Sequence, residues 1–260
     1  MLKSLREKIK RAPILGPVLH NFYLKARHSE GKLLTIESGR LQGKRWVRFM
    51  RTHNDEYVRG DYEQTIQWAI ERRLRPGMIF CDVGANAGFF SLLGAAIVGP
   101  KGTVMSFEPH PETASQLRRQ MAVNGCDNVE IIEAAVCDKI GTAEFSDDTI
   151  AVMASLTETG AGRRTITVKT ETLDNVFSSR SPPDLLKIDV EGAEIDVLRG
   201  AENLILQKRP ILLVEIHSPE IAIEYDLLMK RFKYKTSSLK DEVVLAGESG
   251  ERFVVSEPIS

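Results

Sequence analysis

From Met78 onward, short apolar β-rich runs alternate with amphipathic runs of helical length. That alternation predicts a mostly parallel sheet with helices on both faces. Met78–Val83, introduced by the Pro76–Gly77 turn, predicts a buried strand, and Ala87–Val98, closed by Gly99–Pro100, predicts the next helix. The alternation continues with a strand over Thr103–Phe107, a helix over Pro111–Asn124 ended by Gly125, and a strand over Val129–Val136. Short strands are expected at 142–146 and 164–170, around a connection at 147–163 rich in Ser, Thr and Gly. A strand over Asp184–Val190, a helix over Ala193–Gln207, an apolar strand over Ile211–Ile216 and a helix over Pro219–Phe232 follow. Two weak strands near 242–246 and 252–255 end the series. Ahead of Met78, Lys44–Met50 predicts a strand, and Tyr62–Arg73 a helix with Ile66, Ala69 and Ile70 inward. The expected organisation is a basic helical and strand extension over 1–59, acting as an α/β cap, before an α/β domain over 60–260.

Composition narrows the class. Hydrophobic residues make up 42% and charged residues 27%, which suits a soluble globular protein and excludes a disordered, collagen-like or polytopic membrane chain. Three scattered cysteines, Cys81, Cys126 and Cys137, make neither a disulfide framework nor a CxxC metal knuckle, so a reducing cytoplasm is expected. Net charge is −1, but residues 1–75 carry 17 Lys and Arg against 8 Asp and Glu, while the remainder is net acidic. A basic front section suits either an anionic partner or a solvated face. Leu2, Leu5 and Ile9 share one helical side, and an apolar stretch over 12–24 is broken by Pro13 and Pro17. It is too short and interrupted to span a bilayer; a docking helix and a weak membrane-surface contact through residues 1–24 both fit. No nucleic-acid recognition module is present, so no specific nucleic acid is expected as a partner.

In an open parallel sheet, ligands bind at the carboxyl ends of the strands, where strand order reverses. The first main strand runs into Asp82-Val-Gly84-Ala85-Asn86-Ala-Gly88-Phe89 at a helix start. A dinucleotide fingerprint needs glycines at 84, 86 and 89, and Asn86 and Phe89 break it. A Gly-x-Asn-x-Gly turn preceded by an acid suits a phosphate-free, amine-bearing ligand, because a carboxylate repels phosphate and attracts ammonium. S-adenosylmethionine has that chemistry. The second strand ends Glu108-Pro109, where an acid can accept hydrogen bonds from both ribose hydroxyls.

Taken together, DVGANAGFF, FEPHPETASQLRRQMAVNG, NVEIIEAAVCD, DLLKIDVEGAEIDVLRGA and RPILLVEIH resemble the FkbM-type S-adenosylmethionine-dependent methyltransferases, over roughly residues 60–217. The resemblance implies a Rossmann-like class I methyltransferase fold, with a mostly parallel seven-stranded sheet whose last strand is antiparallel. It implies that Gly84, Ala85, Asn86, Gly88 and Phe89 shape the methionine end of the cofactor site above Asp82. Glu108 and Pro109 would serve the ribose, and the Glu133–Val136 stretch, with Ala134 and Ala135 at its centre, the adenine. Tyr62 and Glu63, ahead of the first main strand, suit closure over the methionine moiety, and Tyr62 equally suits an ordinary boundary aromatic.

Asp189 and Glu191 follow the fourth main strand, and Glu215 and His217 the fifth. Period-two alternation puts each pair on one side of its strand, so neighbouring strands would bring all four together. Buried ionisable groups are costly unless paired or functional. Three accounts are consistent with them: His217 or Asp189 takes the proton of an acceptor hydroxyl; Asp189, Glu191, Glu215 and His217 supply ligands for a divalent ion; or the cluster is structural. Lys187 is the expected partner of Asp189, His110 a surface residue, and Cys81 core. The expected function is O-methylation of a hydroxyl on a small molecule, sugar, glycan or polyketide-like acceptor. Nitrogen or macromolecule methylation, and a non-catalytic binding protein of this fold, are the alternatives.

Overall fold

The structure is a computed structural model, and it describes residues 31–49, 54–146, 165–239 and 253–259. The front section contributes a two-stranded antiparallel ribbon, β1 (Leu33–Thr35) and β2 (Arg45–Val47), and two helices, α1 (Asn54–Arg59) and α2 (Gln64–Arg73). The main sheet is then built by β3 (Ile79–Val83), α3 (Phe89–Val98), β4 (Thr103–Phe107), α4 (Pro111–Val123) and β5 (Val129–Ile132). A small side sheet follows, made of β6 (Ala135–Val136), β7 (Gly141–Ser146) and β8 (Thr165–Glu171). After the short helix α5 (Leu173–Val176) the chain returns through β9 (Leu185–Ile188), α6 (Glu194–Arg199), α7 (Glu202–Lys208) and β10 (Ile211–Glu215). Helix α8 (Pro219–Phe232) and strands β11 (Tyr234–Ser238) and β12 (Phe253–Pro258) close the described chain.

The main sheet has seven strands in the order β11-β12-β10-β9-β3-β4-β5. β10, β9, β3, β4 and β5 run parallel, and β12 is antiparallel to both β10 and β11, the reversed last strand that the resemblance implies. The chain steps outward from β3 through β4 to β5 and restarts on the other side with β9. The crevice above the carboxyl ends of β3 and β9 is therefore where strand order reverses.

Strand alternation sorts the core into two layers. Phe80, Leu185 and Leu213 pack on one face with Ile66, Ile70, Leu92, Leu93, Leu117 and Met121 from α2, α3 and α4. Cys81, Val83, Leu186, Ile188, Leu212 and Val214 pack on the other with residues of α6, α7 and α8. The front section joins the first layer: Ile36, Leu41, Trp46 and Tyr57 belong to it. Gln120 of α4 fixes the contact, accepting from the Val47 amide at 2.8 Å and donating to the Val47 carbonyl at 2.8 Å. Among the described residues no helix is long and apolar enough to cross a membrane.

Several sequence expectations change. Val129–Val136 is two strands, because the chain turns after Ile132 and Ala135–Val136 leaves to pair with β8. The helix expected over 193–207 breaks at Gly200, where a Cβ would lie 2.0 Å from the Cys137 carbonyl oxygen. Asp174 then starts α7 from outside, accepting from the Asn203 amide at 3.0 Å and the Leu204 amide at 2.7 Å, which satisfies donors with no partner inside the helix. β1, α1 and β11 carry too few periodic positions to stand out. Residues 1–24, the 147–163 connection and the strand expected at 242–246 lie outside the described residues.

Candidate active site

The floor of the crevice is a buried ion pair. Asp82 of β3 stands opposite Lys187 of β9 in parallel register, and both are wholly buried. The Lys187 ammonium lies 3.4 Å from Asp82 Oδ1 and 3.3 Å from Asp189 Oδ2, with the Phe90 ring centroid at 5.1 Å. Ser91 donates to Asp82 Oδ2 at 2.7 Å, and Ser106 donates to Ser91 at 2.8 Å. Burial works against the ammonium, but the Asp189 and Asp82 carboxylates outweigh it and hold the Lys187 pKa above its ordinary value. Asp82 lies beneath the 84–88 turn as expected. Its carboxylate is engaged by Lys187 and Ser91, so it does not face the cleft as a free negative charge.

The turn is tied to both neighbouring strand ends, those of β9 and β4. Gly84 has φ +78, and a Cβ there would fall 1.8 Å from the Asp189 carbonyl oxygen; the two loops meet backbone to backbone. The Gly84 and Ala85 amides donate to the Phe107 carbonyl at 3.1 and 2.9 Å. Asn86, itself left-handed at φ 48, donates its amide to Glu108 Oε2 at 3.0 Å. Glu108 Oε1 accepts from the His110 amide at 2.9 Å. Burial raises the Glu108 pKa to about 7, against the pull of those two amides. His110 is buried, not at the surface as expected, because its peptide serves this carboxyl. Gly88 packs against Leu117, 2.2 Å from where its Cβ would sit, so it serves helix packing as well as the turn.

The remaining expected cofactor residues surround this frame. Ala134 and Ala135 are buried beyond the end of β5, and the partly exposed Glu133 turns outward to Arg118 at 2.7 Å. Pro109 follows Glu108 at half-burial. Tyr62 packs against Tyr57, Phe89 and Phe90 with ring centroids 4.5, 5.5 and 5.7 Å away. Burial pushes the Tyr62 hydroxyl far above its ordinary pKa. Glu63, left-handed at φ 43, acts electrostatically on both Lys187 and Glu215.

Asp189, Glu191, Glu215 and His217 do converge, although by a different route from strand alternation. β9 ends at Ile188, and a left-handed Glu191 (φ 53) followed by Gly192 (φ 107) folds the chain back toward β10. A non-glycine residue in that region costs on the order of 1 kcal/mol and is held only by its surroundings. His217 Nε2 lies 3.1 Å from Glu191 Oε2, 3.6 Å from Glu215 Oε1 and 4.0 Å from Asp189 Oδ1. Its Nδ1 lies 2.6 Å from Glu194 Oε1. Burial disfavours the imidazolium, but hydrogen bonds to Glu191 and Glu194 raise the His217 pKa to about 10. Burial and the neighbouring Asp189 raise Glu215 to about 8, and it hydrogen-bonds Asp189.

Glu194 is a residue that the sequence reading missed. It is wholly buried at the start of α6, accepts from the Gly192 amide at 3.0 Å and holds His217. Its only sequence signal is an acid in the first turn of a helix, which is common on surfaces and carries no hint of burial.

The fold is that of the class I methyltransferases, and sequence comparison gives the family. The profile described as the methyltransferase FkbM domain matches residues 82–236, more than half of the chain, and the chain belongs to that family. It is similar to the hexuronic acid methyltransferase AglP of Haloferax volcanii, at 29% identity over 164 residues, covering 62% of this chain and 65% of AglP. It is also similar to the 31-O-demethyl-FK506 methyltransferase FkbM of Streptomyces tacrolimicus, at 29% identity over 185 residues, covering 58% of this chain and 69% of that protein. The chain thus spans about two thirds of these curated relatives. The crystal structure of a methyltransferase FkbM from Methylobacillus flagellatus KT shares the fold, with TM-score 0.50 and 14% identity over 80% of this chain and 56% of that one.

Two pairs of substitutions test the frame. Lys187→Met strands two carboxylates against an apolar side chain and should cost about 3–5 kcal/mol in equilibrium unfolding; adding Asp82→Asn should recover part of it. Gly84→Ala should destabilise by several kcal/mol more than Gly77→Ala, which shares a positive φ but meets nothing within 4 Å. Equal losses at the two glycines would show that the loops do not meet.

Proposed function

We propose that the chain is an S-adenosylmethionine-dependent O-methyltransferase acting on a hydroxyl of a small-molecule or glycan acceptor. The observation that carries this reading is Glu108. A buried carboxyl at the end of β4 is wired to the 84–88 turn through the Asn86 amide. It stands across the β3–β9 boundary from the Asp189–His217 cluster. A carboxyl held there suits ribose hydroxyl donors and repels phosphate. The relatives' names, a hexuronic acid methyltransferase and a 31-O-demethyl-FK506 methyltransferase, support oxygen-bearing acceptors.

In this reading Glu108 accepts the ribose hydroxyls, Ala134 and Ala135 line the adenine, and the 84–88 turn with Tyr62 and Glu63 holds the methionine end. The bound cofactor supplies a methyl group on a sulfonium, whose thioether leaves neutral and needs no acid. The protein's work is positioning and proton removal. With the cofactor bound, that methyl would pass from sulfur to the acceptor oxygen, and a carboxylate of the cluster would take the hydroxyl proton. His217, with carboxylates at both ring nitrogens, orients that cluster. Asp189, paired with Lys187 and 19% exposed at its side chain, takes the proton.

Calorimetric titration with S-adenosylmethionine tests the reading. Glu108→Ala should weaken binding at least about tenfold, the worth of one or two charge-assisted hydrogen bonds. The pH dependence has a definite sign. Because burial raises Glu108, its contribution to folding is full below the ordinary carboxylate range and is lost as pH rises through about 7. Ribose hydroxyls favour the ionised carboxylate, so cofactor affinity should rise up to about tenfold between about pH 6 and 8 and flatten in Glu108→Gln. An affinity independent of both pH and Glu108 would remove the ribose contact.

A further inference from the structure

We infer that Asp189, Glu215 and His217 form a divalent-cation site on the acceptor side of the cleft. One donor atom from each residue can be chosen so that all lie within 4.8 Å of one another. His217 Nε2 is 3.6 Å from the Glu215 oxygen and 4.0 Å from the Asp189 oxygen. An ion bonded at about 2.1–2.4 Å spaces its neighbouring ligands by roughly these distances. The three side chains stand on or just beyond the ends of β9 and β10, so paired strands fix their separation.

A second observation points the same way. His217 Nδ1 is taken by Glu194, whose carboxyl is wholly buried and whose Oε2 has no hydrogen-bond partner among the described residues. That contact turns Nε2 toward the three carboxylates Asp189, Glu191 and Glu215. A buried carboxylate behind the far ring nitrogen is the arrangement that orients metal-binding histidines. Lys187 lies between Asp82 and Asp189. Two carboxylates and one imidazole suit manganese or magnesium, with positions left for water and an acceptor oxygen. An ion there would bind the acceptor hydroxyl and weaken its hold on its proton. Only that use rests on the methyltransferase reading; the binding site does not.

The test is manganese titration of the chelator-treated full chain, read by electron paramagnetic resonance. One ion per chain should bind saturably. Affinity should fall at least about tenfold in His217→Gln and in Glu215→Gln, and about tenfold in Glu194→Gln, which acts through the histidine. Glu130→Gln, which removes a surface partner of Arg180, should leave it unchanged. Far-ultraviolet circular dichroism of the ion-free variants reports whether each has folded. No saturable binding up to about 1 mM manganese, or equal affinity in wild type, His217→Gln and Glu215→Gln, overturns the site. Ion binding without any cofactor binding would sustain this inference and sink the methyltransferase reading; the reverse would do the opposite.

Discussion

A single buried ammonium sets the geometry of the cleft. Lys187 reaches from β9 to Asp82 on β3 and to Asp189 beyond its own strand, beside the aromatic ring of Phe90. Such a triad is costly to desolvate and becomes far costlier when one member is removed. It therefore locks two neighbouring strand ends at one separation. The Gly84–Asp189 backbone contact and the left-handed Glu191 depend on that separation. Above the triad, the turn and the carboxylate cluster occupy opposite sides of one boundary.

The fold divides its labour cleanly. Alternating side chains of the strands fill two largely apolar layers, and the ionisable groups of the site gather toward the carboxyl ends of the strands. The helices that cover the sheet also brace the site: α4 supplies Leu117 beneath Gly88, α6 supplies Glu194 behind His217, and Asp174 anchors the start of α7. The front section contributes Tyr57 and Tyr62 to the aromatic wall beside Phe89 and Phe90. It is packed into the same core as the sheet, so the site's wall and its floor are parts of one body.

Much of this was legible in the residues. The places where β3 and β4 end were legible because the glycine turn and Pro109 stop them locally, and the family resemblance ran through the same residues. The convergence of Asp189, Glu191, Glu215 and His217 was anticipated for a wrong reason. Alternation along a strand suggested it, whereas a positive-φ turn at Glu191–Gly192 produces it. Glu194 and the second partner of Lys187 were invisible, because burial and long-range pairing leave no trace in spacing. The break at Gly200 was hidden for the same cause: the carbonyl that forbids a side chain there belongs to Cys137, far away in sequence.

The account stands or falls on where an adenosyl ligand sits. A crystal structure with S-adenosylhomocysteine measures that directly. Both ribose hydroxyls should lie within about 3 Å of the Glu108 carboxylate, with the sulfur above the 84–88 turn and facing Asp189 and His217 across the boundary. A ligand bound elsewhere, or one whose sulfur points away from the cluster, would contradict it.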